Sequence, residues 1–182
     1  VGGGIRCAVT GLPAGLGAPD YGENVEGIFS QYLFAVPAVK AVGFGDGVGF
    51  ASLRGSQAND SFYMDGDTVK TRTNHSGGVN GGITNGMPVE FEVCIRPTPS
   101  IAQPQQTVDL VQRKDAELTI TGRHDPCILH RALPVIEAAA ALAACNKGLV
   151  DHDFRVGQCK ALALGAACQQ ECPHGSCHTH AD

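Results

Sequence analysis

The sequence predicts a mixed fold of helices and strands, on three observations. Val89, Phe91, Val93 and Ile95 alternate strictly with less apolar neighbours, the two-residue period of a half-buried strand. Val25, Ile28, Phe29, Tyr32, Leu33 and Val36 fall on one face at helical spacing, and Pro37 closes the pattern. Apolar residues recur again at Ile128, Leu129, Leu133, Ile136, Ala140 and Ala143, within an Ala-rich stretch.

The remaining elements follow in order. Ile5 to Thr10 alternates well enough for a strand, and Gly11 to Asp20 is a Gly/Pro connection to the first helix. Val39 to Leu53 is apolar but punctuated by glycine, one or two short strands around Gly45-Asp46-Gly47. Ser56 to Lys70 is polar and turn-rich and belongs on the surface. Thr71 to Met87 interleaves five glycines with Asn74, Asn80 and Asn85 just before the Val89 strand, placed to let backbone approach a ligand closely. Ala116 to Thr121 reads as a strand leading to Gly122. The main helix is expected over Pro134 to Asn146, with Pro134 in its first turn.

The 182 residues suffice for one domain with an adequate core. Hydrophobic content of 43% and charged content of 17% describe a globular chain, and 5% aromatic content leaves the interior to small aliphatic residues. A net charge of −5 with no basic block argues against nucleic-acid binding. No apolar run is long enough to span a bilayer, so no membrane is implied. The start at Val1, without Met or a signal-peptide pattern, suggests the continuation of a longer polypeptide. Of the 8 cysteines, Cys7, Cys94, Cys127 and Cys145 sit within apolar patterns and are expected as buried thiols in a reducing cytosol.

Two stretches carry candidate chemistry. Arg96-Pro97-Thr98-Pro99-Ser100 joins a cation and two hydroxyls on a proline-stiffened loop, suited to a phosphate or polar cofactor. An ordinary Pro-rich turn is the alternative. Gly122-Arg123-His124-Asp125-Pro126-Cys127 crowds a cation, an imidazole and a carboxylate at a helix entrance, where free N–H groups also attract anions. A capping turn with a surface Arg–Asp pair is the competing reading.

Taken in order, several strings resemble chorismate synthase. They are Gly11 to Gly17, Pro37-Ala38-Val39-Lys40, Arg54-Gly55-Ser56, Arg72-Thr73-Asn74-His75-Ser76-Gly77-Gly78, Gly81-Gly82-Ile83, Asn85-Gly86, Arg96 to Ser100 and Gly122 to Cys127. The resemblance covers roughly residues 2–150 and only the C-terminal half of that enzyme. It implies an α+β fold with helices sandwiched between antiparallel sheets, this chain being one copy of a duplicated architecture. It implies the anti-1,4-elimination of phosphate from 5-enolpyruvylshikimate 3-phosphate to chorismate in the shikimate pathway. The family requires reduced FMN, draws on NADP-linked reduction either built in or external, and forms cytoplasmic homotetramers. Position by position, the resemblance implies flavin contacts from Pro37, Ala38, Gly81, Arg96, Pro97, Thr98, Pro99, Ser100 and Arg123. Asp125 matches the acid near the flavin N5, and His124 and Cys127 belong to the motif without an assigned role. Arg96 stands where many relatives carry Lys, and His130 where they carry another type.

The family's two catalytic histidines and further phosphate-binding arginines belong to the half not represented here. Half an active site and negligible turnover are therefore expected of this chain alone, and a non-catalytic module retaining FMN or metal affinity is the rival reading. Residues 151–182 depart from the family as a Cys/His-rich tail. Cys168, Cys172, His174, Cys177, His178 and His180 have spacings a zinc ion could use. Disordered thiols or an altered reading frame explain them more simply, and no metal ligand is assigned.

Overall fold

The structure, a computed structural model, describes residues 1–146 and the short strand Leu162–Leu164. Its centre is an antiparallel sheet of four strands in the order β10-β1-β7-β2, made of β10 (Leu162–Leu164), β1 (Gly3–Val9), β7 (Val89–Ile95) and β2 (Val39–Phe44). Strand β7 is the spine, pairing Ile95 with Gly3 and Val89 with Val9 on one side and Phe91 with Phe44 on the other. The predicted alternation holds. Val89, Phe91, Val93 and Ile95 are buried, whereas Glu90, Glu92 and Cys94 face outward.

Helices α1 (Val25–Phe34) and α3 (Leu129–Cys145) pack together and cover the inner face of this sheet. Asn24 caps α1 by accepting the Gly27 N–H at 2.8 Å. Phe29 is fully buried, with its ring centroid 5.9 Å from that of Phe91. Truncating such a side chain costs about 3–5 kcal/mol. The outward side of the helix layer exposes Phe34, Val135 and Leu142, and no second sheet covers it among the described residues. The α+β class predicted by resemblance therefore holds, with the helices covered by a sheet on one side in this chain.

Short elements fill the connections. A 3-10 turn (Gly47–Ser52) and α2 (Gly55–Ala58) follow β2, then the hairpin β3 (Phe62–Asp65) with β4 (Thr68–Thr71). The glycine-rich stretch forms β5 (Val79–Asn80) and β6 (Ile83–Thr84), and a second hairpin joins β8 (Gln105–Asp109) to β9 (Lys114–Leu118).

Several sequence expectations need correction. Strand β1 begins at Gly3, not Ile5, because Gly3 and Gly4 pair with Ile95 and Cys94. Apolar Val39 to Leu53 supplies one strand, the first of the two alternatives expected, and then a 3-10 turn after the positive-φ Gly45 and Gly47. Strand β9 ends at Leu118, where its partner β8 begins at Gln105, so residues 119–121 leave the sheet. Helix α3 starts at Leu129, five residues ahead of Pro134. Its first turn is held by Leu129 against Gly3, where a Cβ would stand 2.6 Å from Leu129 Cδ1, and by backbone bonds to Ile128 O. Pro134 lacks only the N–H that would reach the carbonyl of His130, a residue exposed to solvent. Cys94 and Cys145 are exposed, not buried, because each lies on the outward side of its element. Cys7 is buried as expected. The tail's Cys/His cluster lies outside the described residues.

Candidate functional site

At the end of β7 where Ile95 meets Gly3 and Val39, four segments converge. The Arg96 N–H donates to Ala38 O at 2.9 Å, which joins the Arg96–Ser100 loop to Pro37-Ala38. Ala38 has φ 76, a left-handed conformation that costs a non-glycine residue roughly 1–2 kcal/mol. It is held there between Pro37 and a bulge that shifts the β2 register between Val39 and Ala41. Such strain persists only where the surroundings impose it, and it concentrates at functional sites.

The third segment is Gly122 to Cys127. His124 ties it to the loop, with Nδ1 lying 2.9 Å from Ser100 Oγ and Nε2 lying 3.2 Å from Ile120 O. The fourth is the start of the chain, where the Val1 nitrogen donates to Pro126 O at 2.7 Å. Asp125 does not cap α3, whose N-cap Ile128 makes no side-chain bond. Its carboxylate instead meets Arg131 on the first turn of α3 at 2.6 Å. The predicted surface pair thus exists, but with Arg131 in place of Arg123. Arg123 is exposed and has no ion-pair partner among the described residues, and Arg96 makes only a 3.5 Å contact to Pro97 O. Thr98 Oγ1 is buried without a hydrogen-bond partner. Two uncommitted guanidinium groups and an orphaned hydroxyl make this end of the sheet a place suited to an anion.

Gly81 stands apart from these residues. It turns between β5 and β6, beside the N-terminus of α1, where Val25 N–H donates to Gly82 O at 3.0 Å. The length of β7 separates it from Arg96, about 20 Å at strand spacing. The backbone over Gly81 is open, with nothing within 4 Å of a Cβ built there. Two other glycines of that stretch, Gly77 and Gly78, lie tight against the protein's own backbone. A Cβ on Gly77 would run into Gly45 N and Glu90 O, and one on Gly78 into Pro88 O, so these two serve close packing of backbone on backbone.

A second polar cluster lies at this Gly-rich end, and sequence reasoning missed it. Asp60, expected on the surface, is 7% exposed and accepts from Thr73 Oγ1 at 2.7 Å, His75 N at 2.8 Å and Ser76 N at 2.8 Å. Burial pushes its carboxyl up, but these hydrogen bonds outweigh that and hold it below the usual aspartate range. His75 Nδ1 lies 2.6 Å from Asp46 Oδ2, and Asp46 N donates back to His75 O at 2.8 Å. Arg72 stacks over the Tyr63 ring at 5.1 Å. The one available signal was an Asp preceding a Thr-Asn-His-Ser run, which a single sequence does not distinguish from a turn. Among the described residues no group of three or more His, Cys, Asp or Glu could hold a metal ion.

Comparison with known proteins agrees with the motifs. The family profile described as chorismate synthase matches residues 1–149. The chain belongs to the chorismate synthase family. Curated chorismate synthases from Opitutus terrae and Thermococcus gammatolerans are each 48% identical to it over 155 residues, 85% of this chain. The chain spans only 41% and 42% of those two proteins. A crystal structure of a chorismate synthase, 26% identical, superposes with a TM-score of 0.61 over 78% of this chain and 35% of that one. No helix among the described residues is long and apolar enough to cross a membrane.

Proposed function

We propose that this chain carries the flavin-side part of a chorismate synthase active site. In a complete protein it would serve the anti-1,4-elimination of phosphate from 5-enolpyruvylshikimate 3-phosphate to chorismate. The observation that carries this reading is the convergence of Pro37-Ala38, Arg96–Ser100 and Arg123–Asp125 through the Ala38–Arg96 and Ser100–His124 hydrogen bonds. All but Gly81 of the residues that the family resemblance points to belong to that convergence.

The residues present fit the cofactor, because Thr98 Oγ1 lacks a partner and both Arg96 and Arg123 are free of ion pairs among the described residues. The chemistry that reduced FMN would supply, if held by these residues, is a transient loan of an electron to the elimination. Arg96 and Arg123 bind and orient anionic groups, while Thr98 and Ser100 add hydroxyl contacts. Pro37, Pro97 and Pro99 fix the backbone of the two loops that would hold the cofactor. Asp125 takes up or returns a proton at the carboxylate oxygen that Arg131 does not engage. Gly81, with open backbone, belongs to a second contact at the far end of the sheet. The complete protein is proposed as a cytoplasmic homotetramer with an NADP-linked supply of reduced flavin. No metal is assigned a role.

The commitment of the Asp125 carboxylate to Arg131 favours a second reading, a non-catalytic module that keeps FMN affinity. An anaerobic assay with reduced FMN and substrate separates the two. The chain alone should release negligible phosphate, and adding the missing part of a relative as a separate polypeptide should restore turnover. Robust phosphate release by the chain alone would overturn the division of the site. Flavin binding with no rescue would favour the module.

A further inference from the structure

Among the described residues His124 is the side chain that ties the Gly122–Cys127 segment to the Arg96–Ser100 loop, and the mechanism above gives it nothing to do. Its two bonds fix its hydrogens. A carbonyl oxygen only accepts, so the Nε2 that meets Ile120 O at 3.2 Å carries a hydrogen. In the neutral imidazole Nδ1 is then a lone-pair acceptor, and Ser100 must donate its single hydroxyl hydrogen to it across 2.9 Å. In that state Ser100 offers a ligand only lone pairs, which repel an anion. A proton from solvent placed on Nδ1 reverses the bond: Nδ1–H donates to Oγ, and the hydroxyl hydrogen is released towards the ligand.

Resting on the flavin reading above, we propose that His124 is a positioning residue that sets the hydrogen-bonding polarity of Ser100, so that the FMN phosphate binds with uptake of one proton on His124. The chemistry of the loop points to a phosphate. Arg96 is free of ion pairs among the described residues, Thr98 Oγ1 is buried without a partner, and Ser100 completes a cation with two hydroxyls. The charged groups on the surrounding elements are Arg96 on the loop, Arg123 and Asp125 beside the imidazole in sequence, and Arg131 on α3. Asp125 is committed to Arg131, so the imidazole's own partners are Ser100 and Ile120.

The test is FMN affinity of the full chain across about pH 5 to 8, compared with His124→Gln and Ser100→Ala. The FMN phosphate's own titration is common to all three proteins and cancels in the comparison. Wild-type affinity should strengthen on acidification by on the order of tenfold more than in either variant. The double variant should behave as each single one, and riboflavin, which has no phosphate, should show no excess. A residue that merely braces the loop would weaken binding equally at every pH. Parallel pH profiles, or an excess that persists with riboflavin, would overturn the inference while leaving flavin binding intact. Failure of the wild-type chain to bind FMN at any pH would overturn the flavin reading and this inference with it.

Discussion

The two ends of the central sheet are built on opposite principles. At the Gly-rich end nearly every polar group is spent internally: Asp60 takes three hydrogen bonds, His75 and Asp46 hold each other twice, and Asn74 Nδ2 donates to Pro88 O. Asn74 Oδ1 is the buried exception. At the Arg96 end the loop is tied by Arg96 N–H to Ala38 O and by Ser100 to His124, yet Arg96, Arg123 and Thr98 Oγ1 are left over. Uncommitted donors held on tethered loops are the arrangement a binding site needs, because the ligand then supplies the missing partners. A saturated network leaves a ligand little to do, so the Gly-rich end reads chiefly as structure.

Substitutions should break this contrast in graded steps. Gly45→Ala is the most damaging, since its Cβ would meet His75 O at 1.7 Å and its φ of +54 is itself unfavourable. It should cost more than about 4 kcal/mol, or prevent folding, in a denaturant titration. Asp60→Ala strands two backbone N–H groups and the Thr73 hydroxyl, and should cost about 3 kcal/mol in the same measurement. Because the folded-state pKa of Asp60 is lowered, its contribution is present above the unfolded carboxylate value. That contribution should be lost as pH falls from about 3.9 through the folded value. Asp60→Asn should therefore flatten the acid limb of the stability profile.

The Arg96 end should respond in the opposite way. Arg123→Ala should leave stability within about 0.5 kcal/mol, as for a surface residue without partners. It should weaken FMN binding by on the order of tenfold, the worth of a charge-assisted hydrogen bond. Thr98→Val should be neutral or stabilising by up to about 1 kcal/mol, since it removes an unsatisfied hydroxyl. It should lower flavin affinity by a few-fold, read by fluorescence quenching.

How much of this was legible beforehand depended on the kind of signal. Strand β7 and helix α1 announce themselves because each buries one face and exposes the other, so periodicity reports burial directly. Strand β8 is exposed on both sides, and Gln105 to Asp109 therefore shows no alternation to read. The start of α3 was placed late because Pro134 looks like a first-turn residue, whereas the true start is set by Leu129 seating on Gly3. Among site residues, the loop and motif cations could be named from sequence. The bond that unites them could not, since Ser100 and His124 meet across 24 positions only once both hairpin strands have folded. Nor could the partition of Gly81 to the far end of β7, because sequence order says nothing about which end of a strand a loop occupies.

The most direct test is to add FMN to the isotopically labelled chain and map which backbone amides shift in the NMR spectrum. The account predicts shifts at residues 38, 96, 98, 100 and 122–125, with the Asp60–Ser76 network unmoved and Gly81 reporting whether the second contact forms. Shifts centred on Asp46, Asp60 and His75, with the Arg96 end silent, would contradict it.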